Sequence, residues 1–155
     1  MFSLPAVEIT AENRAHVLGY GIEELPKYRE MEEVIDFIRS SGGIAVAAHP
    51  FGDHHGAGTV KGFDAAEING SVMKHANARA VYEAMKLGIP ITGGSDAHFP
   101  WEIGRIRMEF DGDFITEVRK NRAKIIGKWL GVGFFAYKAR RRAIKEMLRA
   151  GLIEI

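Results

Sequence analysis

Five side chains of the kind that bind divalent metals stand beside short apolar runs in this sequence. They are Glu8, His16, His49 in Ala48-His49-Pro50-Phe51, and Asp96 and His98 in Gly94-Ser95-Asp96-Ala97-His98. Carboxylate and imidazole together suit zinc, manganese or iron better than calcium, which prefers oxygen ligands throughout. An Asp-x-His pair directly after a strand can turn both side chains toward one ion, and the preceding Gly93 and Gly94 let the backbone pass close beside it. A lone histidine after a strand is more often structural than a ligand; two such sites at adjacent strand ends point to a shared metal centre. His54 and His55 lie in a glycine-rich loop, where they face either substrate or solvent, and His75, at a helix start, reads as surface.

These residues need strands to carry them, and the hydrophobic pattern supplies strands. Residues 6–10 and 16–20 read as short strands, the first containing Glu8 and the second opening on His16. Residues 44–48 are continuously apolar, between Gly42-Gly43 and Pro50, as a buried parallel strand would be. Strands are also predicted at 63–68, 89–92, 103–110 and 123–126. Helices are predicted at 30–41, 74–87, 113–121 and 134–150, with Asp111 or Asp113 available to cap the third. Ala76, Ala80, Val81, Ala84 and Met85 are the expected inner side of the second helix, and Ala136, Ala139, Ala143, Ile144, Met147 and Leu148 that of the last. Alternating strands and helices imply an α/β fold on a parallel sheet, in which ligands bind beyond the C-terminal strand ends. His49, Asp96 and His98 follow strands in that position.

A chain of 155 residues, 46% hydrophobic and 10% aromatic, is long enough for one domain with a real core. The absence of cysteine excludes disulfides, thiolate zinc sites, iron–sulfur clusters and cysteine nucleophiles. No apolar stretch is long enough for a membrane helix, and residues 1–8 lack the basic-then-apolar order of a signal peptide. A cytoplasmic location is the expectation. The net charge of +1 hides an asymmetry: residues 1–100 hold 8 Lys/Arg against 13 Asp/Glu, residues 101–155 hold 13 against 7. The densest run, Lys138-Ala139-Arg140-Arg141-Arg142, is either a solvated helix face or a nucleic-acid contact.

The motifs, taken together and in order, resemble the C-terminal part of a PHP domain, the polymerase and histidinol phosphatase superfamily. The resemblance rests on Val7-Glu8-Ile9-Thr10 with His16-Val17-Leu18-Gly19-Tyr20; Gly43 to Phe51 around Ala48-His49-Pro50; Phe63-Asp64-Ala65-Ala66-Glu67-Ile68-Asn69; Gly88 to His98; and Ile103-Gly104-Arg105. It implies a partial, distorted (β/α)7 barrel without its first strands. Residues 5–110 would be the PHP-like core of a single domain 1–155, and 111–155 the last β/α elements and a basic C-terminal helix. By resemblance, Glu8 is the bridging carboxylate, His16 the ligand of the next strand, His49 the Ala-His-Pro ligand, and Asp96 and His98 the closing pair. Glu67 and Asn69 would line the barrel mouth, with Asn69 and Arg105 candidates for substrate contact.

The implied activity is metal-dependent phosphoester hydrolysis with one or two ions of Zn, Mn or Fe, acting on a phosphorylated substrate. The family also opens with a His-x-His motif, and this sequence contains none. A homo-oligomer or a missing N-terminal segment is therefore expected to complete the barrel and its ligand set. Two other readings follow: a metal-binding subunit that turns over only with a partner, and a nucleic-acid-binding protein using the basic helix. No membrane partner is expected.

Overall fold

The computed structural model describes residues 3–27, 29–52, 55–128 and 134–152, without the side chains at 134, 135 and 138. His54 and the Lys138 side chain lie outside the described residues. The elements run β1 (Ala6–Thr10), β2 (His16–Tyr20), α1 (Met31–Ser40), β3 (Ile44–Ala47), β4 (Ala65–Asn69), α2 (Lys74–Leu87), β5 (Ile91–Gly94), β6 (Ile106–Glu109), α3 (Phe114–Arg119), β7 (Lys124–Gly127) and α4 (Phe134–Arg149). A single 3-10 turn, Pro100–Glu102, sits between β5 and β6.

Strands β1 to β5 form one sheet in sequence order. The order agrees with an α/β chain; the directions differ from the all-parallel expectation. β1 pairs antiparallel with β2 and β2 antiparallel with β3, and only β3–β4 and β4–β5 are parallel. The cause is chain length: the connection 11–15 is far too short for a crossover, which needs a dozen or more residues, so β1 and β2 can only form a hairpin. β6 and β7 make a separate antiparallel ribbon beside β5. Among the described residues the sheet does not close into a barrel.

Alternation along the strands divides the core in two. Ile9, Val17, Ala45, Ala47 and Ala66 face Val34, Ile35 and Ile38 of α1 and Ala84 of α2. Ile44, Val46 and Ala65, with Leu18 and Tyr20, face Val118 and Ile115 of α3 and Met108 of β6. Two glycines decide how closely layers approach β5. A Cβ on Gly93 would meet Ile125 Cγ2 at 2.8 Å and Ile106 Cγ2 at 2.9 Å, so only glycine lets the ribbon seat there. A Cβ on Gly94 would lie 2.2 Å from Glu67 Oε1, so glycine leaves room for that carboxylate.

Two helix faces differ from the hydrophobic pattern. On α2, Met85 is 74% exposed while Asn77 is buried. Asn77 is inside because its amide clamps the end of β4, accepting from Asn69 N and donating to Asn69 O, both at 2.8 Å. On α4 the expected inner residues Ala136, Ala139, Ala143 and Met147 are exposed, and Tyr137, Arg141 and Lys145 turn inward beside Ile144 and Leu148.

Candidate metal centre

The β1–β2 hairpin brings the first two candidate ligands together. Glu8 opposes Leu18 and Thr10 opposes His16, so Glu8 and His16 are diagonal neighbours on one sheet face. Glu8 Oε1 lies 2.8 Å from His16 Nδ1. His49 joins them from the end of β3, its Nε2 3.3 Å from His16 Nδ1 and 3.7 Å from Glu8 Oε1. These three ligand atoms all lie within 4.8 Å of one another. An ion bound at about 2.1 Å in tetrahedral or octahedral geometry leaves its ligand atoms roughly 3.0–3.4 Å apart, and the three separations straddle that range. The cluster can coordinate one divalent ion.

His49 reaches this position at a backbone cost. Its φ is +31°, and Asp96 has +49°. Neither is glycine, and both stand directly beyond strands that end at the cavity; strain of this sort collects at functional sites. Glu67 holds His49 in place: its Oε2 accepts from His49 N at 3.0 Å and from Asn69 Nδ2 at 3.1 Å. Burial pushes the Glu67 carboxyl up to about 7, against those hydrogen bonds. The ring of His55 stacks on His16, centroids 4.6 Å apart and planes 2° from parallel, a contact the loop sequence did not announce.

Asp96 and His98 line the same cavity as the cluster, but their ligand atoms do not join it. His98 Nδ1 is 3.0 Å from Asp96 O and 3.4 Å from Asp96 Oδ1, and the Arg141 guanidinium lies against it. The turn is fixed from below by Glu102, which is 1% exposed. Glu102 Oε2 accepts from His98 N at 2.6 Å and Phe99 N at 3.2 Å, while Oε1 accepts from Tyr137 Oη at 2.8 Å. Tyr137 and Arg141 thus tie α4 to the loop after β5. Sequence reasoning missed both Glu102 and Arg141. A glutamate four residues past a histidine is a faint signal for the first, and nothing distinguished Arg141 from its neighbours Arg140 and Arg142.

Asn69 and Arg105 do not face the cavity as substrate contacts would. Both ends of the Asn69 side chain are engaged internally, Oδ1 accepting from Ser71 N at 2.6 Å and Nδ2 donating to Glu67. Arg105 lies over the Tyr137 ring, 4.7 Å from its centroid. His75 is exposed, as expected.

The electrostatics of the cluster suit a cation. The hydrogen bond to His49, with the nearby His16, holds Glu8 below the usual carboxylate range, against the opposing effect of partial desolvation. Burial lowers His16, against the pull of Glu8. His49 is also penalised by burial, but the bond to Glu8 and the charges of Glu67 and Asp96 outweigh this and raise it. Burial raises Asp96, with His49 and Arg141 opposing. Metal binding needs an ionised carboxylate and neutral imidazoles, and the negative field that draws a proton onto His49 would equally draw an ion.

A family model described as PHP-associated matches residues 74–122. The chain is 26% identical over 124 residues to the uncharacterized protein MJ0417 of Methanocaldococcus jannaschii, covering 70% of this chain and 52% of that protein. It therefore spans about half the length of that curated relative. The fold is similar to the crystal structure of PsfC from Pseudomonas syringae, with TM-score 0.58 and 21% identity, over 96% of this chain and 66% of PsfC. Among the described residues no helix is long and apolar enough to cross a membrane. Residues 74–122 are thus similar to a PHP-associated family, and the mixed α/β sheet holds at its rim a Glu–His–His cluster able to coordinate a divalent metal.

Proposed function

We propose that this chain holds a catalytic divalent-metal centre of PHP type and that the centre hydrolyses a phosphate ester. The observation that carries the reading is the convergence of Glu8, His16 and His49 from three strands onto one point. Glu8, His16 and His49 would hold the ion, with Asp96 and His98 completing the site from the loop after β5. The ion is Zn, Mn or Fe, since the donor set is nitrogen and carboxylate oxygen. Once bound, it supplies a water acidified toward neutral pH and a positive charge for the phosphoryl oxygens.

The protein's own groups do the rest. Glu67 anchors the main chain at His49. His55 covers the open side of His16. Hydrolysis adds the water oxygen to phosphorus, breaks the phosphorus–ester oxygen bond, and passes one water proton to the departing alkoxide. His98 and Asp96, beside the cluster but outside it, are the groups placed to carry that proton.

A second reading, a metal-binding subunit that turns over only with a partner, is favoured by one observation: three converged ligands are fewer than a multinuclear hydrolytic site employs. The nucleic-acid reading would rest on Arg140 and Arg142, which are exposed on α4, while Arg141 is buried. Elemental analysis of the purified chain, followed by a phosphatase assay with p-nitrophenyl phosphate, decides between the first two. Stoichiometric metal with turnover that Glu8→Gln abolishes supports the enzyme. Stoichiometric metal without turnover supports the subunit. No metal after reconstitution sinks both.

A further inference from the structure

The cavity over the cluster is roofed by α4, and its inward face is cationic. We propose that Arg141 and Lys145 form an anion clamp that takes the terminal phosphate of a small phosphomonoester and presents it to the Glu8–His16–His49 cluster. This rests on the hydrolytic reading above and adds to it the groups that recognise substrate.

Arg141 is only 9% exposed, yet its hydrogen bonding is incomplete. Its guanidinium meets an imidazole nitrogen of His98, and its Nε–H is buried without a partner among the described residues. Arginine carries five N–H donors, no acceptor and a permanent charge, so a buried arginine in this state lacks the oxyanion it is shaped to bind. Phosphate oxygens accept from a guanidinium in a bidentate manner and more strongly than a neutral ring nitrogen. A phosphate drawn into the cavity would give the guanidinium those bonds.

Lys145 follows one turn later, about 6 Å further along the helix axis. It is partly buried, lines the same cavity, and has no carboxylate partner among the described residues. Together the two residues match the two negative charges of a phosphate monoester dianion. Arg142 makes the contrast: it borders the cavity too, but Glu146 Oε1 takes its Nε at 2.9 Å. The acidic groups lining the cavity are Glu8 in the cluster, Asp96 beside His98 and Arg141, and Glu146, which is paired with Arg142, so an incoming phosphate would sit between the cations of α4 and the Glu8–His16–His49 cluster. The volume of about 580 Å³ suits a small molecule and not a duplex.

The test is calorimetric titration of the metal-free protein with inorganic phosphate, so that the clamp is read without the ion. The expected result is saturable binding that weakens roughly 10- to 100-fold in Arg141→Gln and about 10-fold in Lys145→Gln, with less than about a 2-fold change in Arg142→Gln. Lys145→Gln decides the matter if Arg141→Gln fails to fold. Phosphate binding that is absent from the parent, or equal in the parent and Lys145→Gln, overturns the clamp. A preference above about 100-fold for a 5′-phosphorylated single strand over phosphate overturns the small-molecule assignment, because it requires many backbone contacts. A clamp without metal binding would sink the hydrolytic reading alone; metal binding without a clamp would sink this inference alone.

Discussion

On the β1–β3 side of the cavity, one carboxylate and two imidazoles face each other with no cationic side chain among them. On the β5–α4 side, Asp96 and His98 lie against Arg141. Both groups have the donor types of a metal site, but they balance charge differently. The first leaves negative potential that only a proton or an external cation can neutralise. The second carries its own cation. Ligand chemistry alone would rank the two alike; the surroundings make the first the stronger cation site and the second the natural place for an anion.

The most demanding test of this contrast is metal affinity. His49→Ala is expected to weaken binding by more than about 100-fold, beyond the 10- to 100-fold typical of residues that merely support ligands, while His98→Ala stays within that lower range. Competition with a chromophoric chelator measures both. Equal losses would erase the distinction and make the two groups one site.

Support of the first group from beneath gives the next effect. Glu67→Ala leaves His49 N and the Asn69 amide without their acceptor and is expected to cost about 2–4 kcal/mol in denaturant unfolding. Gly94→Ala pushes against the same carboxylate through its new Cβ and is expected to weaken metal binding without touching a ligand. If Gly94→Ala binds metal like the parent, Glu67 does not position His49.

The smallest effect lies far from the cavity and serves as a control. Asp113 caps α3 by accepting from Thr116 N at 2.8 Å, and that bond holds its carboxyl below the usual range. A depressed carboxyl stabilises above its unfolded pKa and loses that contribution as pH falls through its folded value. Asp113→Ala is therefore expected to lower Tm slightly at neutral pH, and the gap to the parent should close in acid. Metal affinity should not change.

Much of this was legible in the sequence, for stated reasons. The elements are marked by glycines and apolar runs: β1, β2 and α2 begin and end where the pattern predicts, and of the two caps it offers, Asp111 and Asp113, the second is the one used. His49 stands just past a fully buried apolar run, and Glu8 and His16 lie within two short strands whose bounds the apolar pattern marks. The rest depends on contacts that periodicity does not encode. The α4 pattern favoured its alanines, but alanine buries little area, and the helix turned instead to the face where Tyr137 reaches Glu102 and Arg141 meets His98. Asn77 displaced Met85 from the interior for a similar reason, two backbone hydrogen bonds outweighing one apolar side chain. The antiparallel start of the sheet follows from the short connection 11–15, which leaves no room for a crossover.

The Tyr137–Glu102 bond joins two parts of the chain far apart in sequence. Glu102 spends one oxygen on the loop that carries His98 and the other on α4, and Ser71 Oγ, at the end of β4, lies 3.5 Å from the same tyrosine hydroxyl. Beside the Arg141–His98 contact, α4 is thus fastened to the loop after β5 through one buried carboxylate. A change at Glu102 would therefore loosen two distant segments at once, the turn that carries His98 and the helix that carries Arg141.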